Sequence, residues 1–179
     1  MIAKILLGLI AIVFAILIIA ASRPSKFRIE RHISISALPA ALFAKVNDFH
    51  RWPAWSPYEK LDPALKRTYE GPPAGTGASY AWAGNSQVGA GRMTVVESIP
   101  NELVGIRLEF LKPFPSTNTA EFLFKPAGAQ TSVTWRMSGK YSFVPKVIGL
   151  FVNMEKMIGA QFDEGLANLK QLAESKGPR

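Results

Sequence analysis

VPKVIGLFVNMEKMIGAQFDEGLANLKQLAESK, Val144 to Lys176, places Val147, Leu150, Phe151, Met154, Ile158, Phe162, Leu166, Leu169 and Leu172 at steps of mostly three and four residues. That spacing is the period of one helix face, and Met157 and Ala160 widen the stripe. Pro145 fits the start of a helix and Gly177-Pro178 ends it. An unbroken helix from Lys146 to Lys176 would be roughly 46 Å long at about 1.5 Å per residue. Such a helix needs a broad apolar surface to lie on.

The residues upstream supply one. Phe27, Ile29, Ile33 and Ile35 alternate with polar residues, the period of a strand with one wet face. Leu42, Phe43, Val46 and Phe49 mark a short helix over Ala37–Phe49 that Pro53 breaks, and a second short helix or turn follows. Weak strand character over Leu65–Glu70 is followed by the turn cluster Gly71-Pro-Pro-Ala-Gly and by strand segments at Gly77–Ala83, Val88–Ser98 and Glu102–Lys112. In the last of these Val104, Ile106, Leu108 and Phe110 share one face. Ala120, Phe122 and Phe124 form the inner face of the next strand, and Val133, Trp135 and Met137 that of the last, with Thr134, Arg136 and Ser138 outside. Connections at Pro100-Asn101, Pro113–Ser116 and Pro126–Gln130 are short, so the strands run as an antiparallel meander. The predicted fold is α+β: one strand, two short helices, six strands and one long helix, the helix lying across a curved sheet. Glycines at 84, 89, 91 and 139 suit the bends of that sheet.

The chain has 179 residues, 48% of them hydrophobic and 19% charged, which fits one folded domain and excludes global disorder. It has no cysteine, which excludes disulfides, thiolate metal sites and cysteine nucleophiles. The net charge is +8, but the basic residues are scattered rather than arranged in a stripe, so nucleic acid is not an expected partner. Ile5–Ala21 carries no charged or strongly polar side chain. As a helix of about 26 Å it spans a bilayer once Lys4 snorkels and Ser22 extends it. A cleaved signal sequence with Ala20-Ala21-Ser22 as the processing site is the rival reading. The expected organisation is an anchor or signal over 1–22, a linker at 23–25, a domain over 26–176 and a tail at 177–179. Arg23, Lys26, Arg28 and Arg31 follow the span and only Lys4 precedes it, which favours a cytoplasmic domain over an exported one.

Four stretches carry a family likeness: Ile33–Pro57, Thr68–Gly77 with Trp82–Gly84, VGAGRMTVVES at Val88–Ser98, and Thr131–Met137. Met157–Leu169 closes the set as the final helix. They resemble the START-like helix-grip superfamily, SRPBCC, also described as the polyketide cyclase/dehydrase and lipid-transport group. The resemblance spans about residues 26–175 and implies a helix-grip fold with a cavity between the long helix and the sheet. It leaves chemistry open, because the group contains cyclases, hydrolases, lipid carriers and receptors.

A catalytic reading finds little to build on. His32 takes the outward parity of its strand, and His50 stands beside Trp52 and Trp55 near one rim of the expected cavity. Two separated histidines do not make a metal site, and no cofactor is called for. Glu109 and Glu121 have outward parity, Glu97 and Asp48 have none that is defined, and no Gly-x-Ser-x-Gly elbow occurs. Glycines 75, 77, 84, 89 and 91 lack the spacing of a phosphate cradle. Cavity-lining candidates are easier to name: Trp52, Trp55, Tyr58, Tyr80, Trp82, Arg92, Phe110, Phe124, Met137, Phe151, Met154, Ile158 and Phe162. Tryptophans and methionines suit an adaptable apolar pocket, with Arg92 facing a ligand's polar end. The expected function is binding, carriage or sensing of a hydrophobic small molecule or lipid by a membrane-tethered domain. A cyclase- or dehydratase-like enzyme and a protein-interaction domain with a collapsed cavity are the alternatives.

Overall fold

The computed structural model describes residues 2–175; Met1, the expected last helical residue Lys176 and the expected tail 177–179 lie outside the described residues. Helix α1 (Ile2–Ser22) is 21 residues long, about 32 Å at 1.5 Å per residue, which matches the roughly 30 Å hydrocarbon layer. Its side chains are exposed except for buried Ala20 and half-buried Ile16. Strand β1 (Lys26–Ile35) follows, then α2 (Pro39–Val46) and two 3-10 helices, Phe49–Ala54 and Pro57–Lys60. Strands β2 (Lys66–Glu70), β3 (Ser79–Ala83), β4 (Ala90–Ile99), β5 (Leu103–Lys112), β6 (Ser116–Ala127) and β7 (Gln130–Lys140) come next, and helices α3 (Phe143–Ile148) and α4 (Met154–Glu174) close the chain.

The seven strands form one sheet in the order β1-β7-β6-β5-β4-β3-β2, every pair antiparallel. This is the expected α+β helix-grip fold, with α4 laid against the concave face. Alternation fixes which side chains point inward: Val104 and Ile106 on β5, Ala120, Phe122 and Phe124 on β6, and Val133, Trp135 and Met137 on β7 are all buried. The outer face carries an ion-pair chain in which Arg136 bridges Glu30 at 2.7 Å and Glu121 at 3.3 Å, and Arg28 joins Glu30 at 2.7 Å. Pro126 and Ala127, expected in a connection, belong to β6 instead.

The terminal helix departs from expectation. It is broken in two: α3 stops at Gly149, and α4 restarts at Met154 with Asn153 as its N-cap. The Asn153 side chain accepts a hydrogen bond from the Lys156 amide at 2.9 Å, satisfying one of the amides a helix start leaves free. The apolar stripe runs on through the break, so periodicity alone hides it, whereas the cap residue reveals it. α4 is therefore 21 residues and about 32 Å long, not 46 Å.

Candidate functional site

Along α4, Phe162, Leu166 and Leu169 are buried against the sheet. Toward its N-terminus the helix stands off the sheet and leaves a cavity of about 340 Å³. The sheet contributes Tyr80 and Trp82 from β3, Met93 from β4, Leu108 and Phe110 from β5, Ala120 from β6, and Trp135 and Met137 from β7. Trp52 and Tyr58 enter from the 3-10 helices, and Met154, Ile158 and Phe162 form the roof. The ring of Phe162 stacks on Trp135 at 4.2 Å between centroids, and Trp82 meets Phe110 edge-on at 5.8 Å. Gly91 lies directly beneath the Trp82 ring, where a Cβ would collide with it. The volume lies at the lower end of the range for small-molecule sites.

A few polar groups interrupt this lining. The Glu59 carboxylate is almost fully buried; it accepts from the Tyr80 hydroxyl at 2.7 Å and from Arg67 Nε at 2.6 Å. Burial first, and then the hydrogen bond to Glu59, push the Tyr80 phenol well above its ordinary pKa, and desolvation moves Tyr58 in the same direction although 37% of that residue is exposed. Both phenols therefore stay protonated, but the Tyr80 hydrogen is already given to Glu59. On β6, Asn118 and Ser116 reach the same space, with Asn118 Nδ2 3.5 Å from Ser116 Oγ. Asn118 Oδ1, pressed over Gly139, is buried without a hydrogen-bond partner. The arrangement suits an apolar body with a small polar end. Among the described residues no three His, Asp or Glu side chains converge as a metal site would require.

Of the residues nominated from the sequence, Trp52, Tyr58, Tyr80, Trp82, Phe110, Met137, Met154, Ile158 and Phe162 border this one cavity. Four do not. Trp55 and Phe124 are packed in the filled core, Trp55 against Trp52, Phe122 and Trp135, and Phe124 against Phe43. Arg92 points outward and pairs with Glu70 at 3.0 Å. Gly91 stands opposite Trp82 and Met93 opposite Tyr80 in an unbroken register, so plain alternation leaves Arg92 on the wet face. Phe151 is 74% exposed because it falls in the break between α3 and α4. His50 also leaves the expected rim: it stacks on Tyr69 at 4.1 Å and pairs with Asp48, lining a separate shallow pocket. The sequence reading missed Glu59, which sits where no apolar period marks a face, and Asn118, whose inward parity with Ala120 was a signal there to use.

The Polyketide cyclase / dehydrase and lipid transport family profile matches residues 26–174. The chain belongs to this family. Solved structures agree with the fold at low identity. Protein MLL2253 from Mesorhizobium loti superposes with a TM-score of 0.63 at 15% identity, covering 85% of this chain and 100% of that one. The Aha1 dimer from Colwellia psychrerythraea gives 0.61 at 18%, covering 84% and 99%. The di-domain ARO/CYC BexL from the BE-7585A biosynthetic pathway gives 0.64 at 12%, covering 89% of this chain and 53% of its own length. No curated protein matches the chain. At these identities the likeness establishes the helix-grip fold, and α1 precedes the matched residues as a single apolar helix consistent with a membrane anchor.

Proposed function

We propose that this chain is a membrane-tethered carrier or sensor of a hydrophobic small molecule or lipid, held between α4 and the sheet. The observation that carries this reading is the cavity of about 340 Å³, walled by aromatic and methionine side chains, in a chain whose first helix is long and apolar enough to cross a bilayer. Asn118 Oδ1 and the protonated Tyr58 offer the few polar contacts that orient a ligand. The excess of Arg23, Lys26, Arg28 and Arg31 after α1 favours a domain on the cytoplasmic side. One observation favours an enzyme of the cyclase or dehydratase type in the same cavity: the buried Glu59 carboxylate beside Tyr80. Arg67 neutralises that carboxylate, however, and Arg67 is itself held protonated by it, so binding is the better-supported role.

The test is to purify the full chain from membranes, extract it with organic solvent and analyse the extract by mass spectrometry. A reproducible apolar compound in stoichiometric amount is the expected result. A chain that purifies empty and fails to take up any apolar probe would contradict the proposal.

A further inference from the structure

A second groove of about 700 Å³ lies beside the foot of α1. Phe27, Tyr141, Pro145 and Met154 line both this groove and the internal cavity. Only one layer of side chains therefore separates them, with the Phe27 and Tyr141 rings stacked at 4.3 Å. The groove is lined by Arg23 and Lys146 set around Leu150, Phe151 and Val152, while its other charged side chains are paired, Arg28 with Glu30 and Glu155 with Arg31, each at 2.7 Å. Phe143, Val144, Phe151 and Val152 are all substantially exposed, a cluster of apolar side chains that solvent does not favour.

The position of α1 explains what covers them. Helix α1 packs on α3, and only Ile16 and Ala20 of α1 lose exposure, so the contact falls on its last two turns. Arg23 Nη1 donates to the Gly149 carbonyl at 2.6 Å and ties the end of the span to the bend after α3. Ile16 lies about 9 Å along the axis from Ser22 at 1.5 Å per residue. With α1 spanning the bilayer, α3 and the bend are thereby held at the depth where amphipathic interfacial segments lie, roughly 5–10 Å into the headgroup and acyl boundary.

We propose that α3 and the following bend are a bilayer-docking surface, seated in the anionic lipid layer around α1, and that the cavity is loaded from that layer across the Phe27, Tyr141, Pro145 and Met154 partition. The loading step rests on the cavity being a ligand site; the docking does not. Arg23 and Lys146 meet the headgroups, while Phe143, Val144, Phe151 and Val152 enter the acyl boundary.

The absence of cysteine makes the test clean. The full chain carries a single bimane label at Phe151→Cys, or at Ala129→Cys in the turn at the far end of the sheet, in phosphatidylcholine vesicles with and without phosphatidylglycerol. Lipids bearing a nitroxide near the headgroup should quench the Phe151→Cys label strongly and the Ala129→Cys label not at all, and iodide in the water should do the reverse. Quenching of both labels by iodide alone would overturn the docking. Loading is read separately, as the rate at which a dansyl fatty acid leaves donor vesicles for the protein. Phe151→Asp with Lys146→Glu should slow that rate at least tenfold with final occupancy unchanged, and an unchanged rate would overturn the loading route. Failure of wild type to bind the probe at all, with the Phe151→Cys label still quenched by lipid, would remove the cavity reading and the loading route while leaving the docking surface in place.

Discussion

The two halves of the grip are built from the same sheet and helix, yet one is solid and the other hollow. Where α2 and the first 3-10 helix are interposed, Phe49, Trp52, Trp55, Phe122 and Trp135 interlock at centroid distances from 4.8 to 6.4 Å. At the other end the inward positions of β6 are Ser116, Asn118 and Ala120, and the last inward position of β7 is Gly139, so nothing large rises from that part of the floor. There too the terminal helix is interrupted, and Met154 begins α4 at the edge of the cavity. The lesson is that the void follows from side-chain size at a few inward positions and from one helix break, with the strand topology unchanged.

Mutations that sample both halves break or sharpen this contrast. The largest effect belongs to Trp55→Ala in the filled half. Trp55 is fully buried and donates to the Lys45 carbonyl at 3.3 Å, so its loss should cost about 3–5 kcal/mol of unfolding free energy. Met154→Ala at the cavity edge should cost less than about 1.5 kcal/mol, because few packing contacts are lost where a void already exists. Urea titrations of the full chain in nanodiscs, followed by tryptophan emission, measure both. Equal losses would mean that the two halves are packed alike.

Gly139→Ala should have an intermediate effect. An added Cβ would collide with Asn118 Oδ1, so β7 or the amide must shift, at about 1–3 kcal/mol. The same titration, combined with the Asn118 side-chain amide resonances, checks it. An unaltered amide environment would contradict the close approach.

Glu30→Gln, on the outer face away from both halves, should have the smallest effect. Hydrogen bonds from Arg28 and then Arg136 hold the Glu30 carboxyl below its ordinary value. A carboxyl whose folded pKa is depressed adds stability above its unfolded pKa and loses it as pH falls through the folded value. The pair chain is solvent-screened, so the substitution should cost under about 1 kcal/mol near neutral pH and nothing in acid. A pH-independent difference between variant and wild type would contradict this origin.

Much of this architecture was legible in the sequence. Period-two runs placed Val104–Phe110 and Val133–Met137 on the inner face because alternation against a single wet face leaves one register. Arg92 obeys the same logic and was misassigned: alternation with inward Met93 and Val95 puts it on the wet face. Phe151 was misplaced because Gly149 and Asn153 end and restart the helix inside an unbroken apolar stripe. Trp55 and Phe124 show a different limit. Periodicity tells an inward side chain from an outward one, but whether it meets packed core or void depends on neighbours from distant strands. Glu59 was invisible for a further reason: its partners Arg67 and Tyr80 come from β2 and β3, and only the fold brings them to it.

The central claim is that the hollow half binds an apolar ligand, and the most direct measurement is energy transfer from the chain's tryptophans to a dansyl fatty acid. Trp52, Trp82 and Trp135 border the cavity, so a bound probe lies within transfer range of all three. The decisive comparison is wild type against Ala120→Phe, which places a ring on the cavity floor while keeping the inward apolar parity of β6. The account predicts saturable transfer at about one probe per chain in wild type, on the scale of a single small-molecule site, and its loss in Ala120→Phe with the fold retained. Equal, saturable transfer in both proteins would place the probe elsewhere and contradict the account.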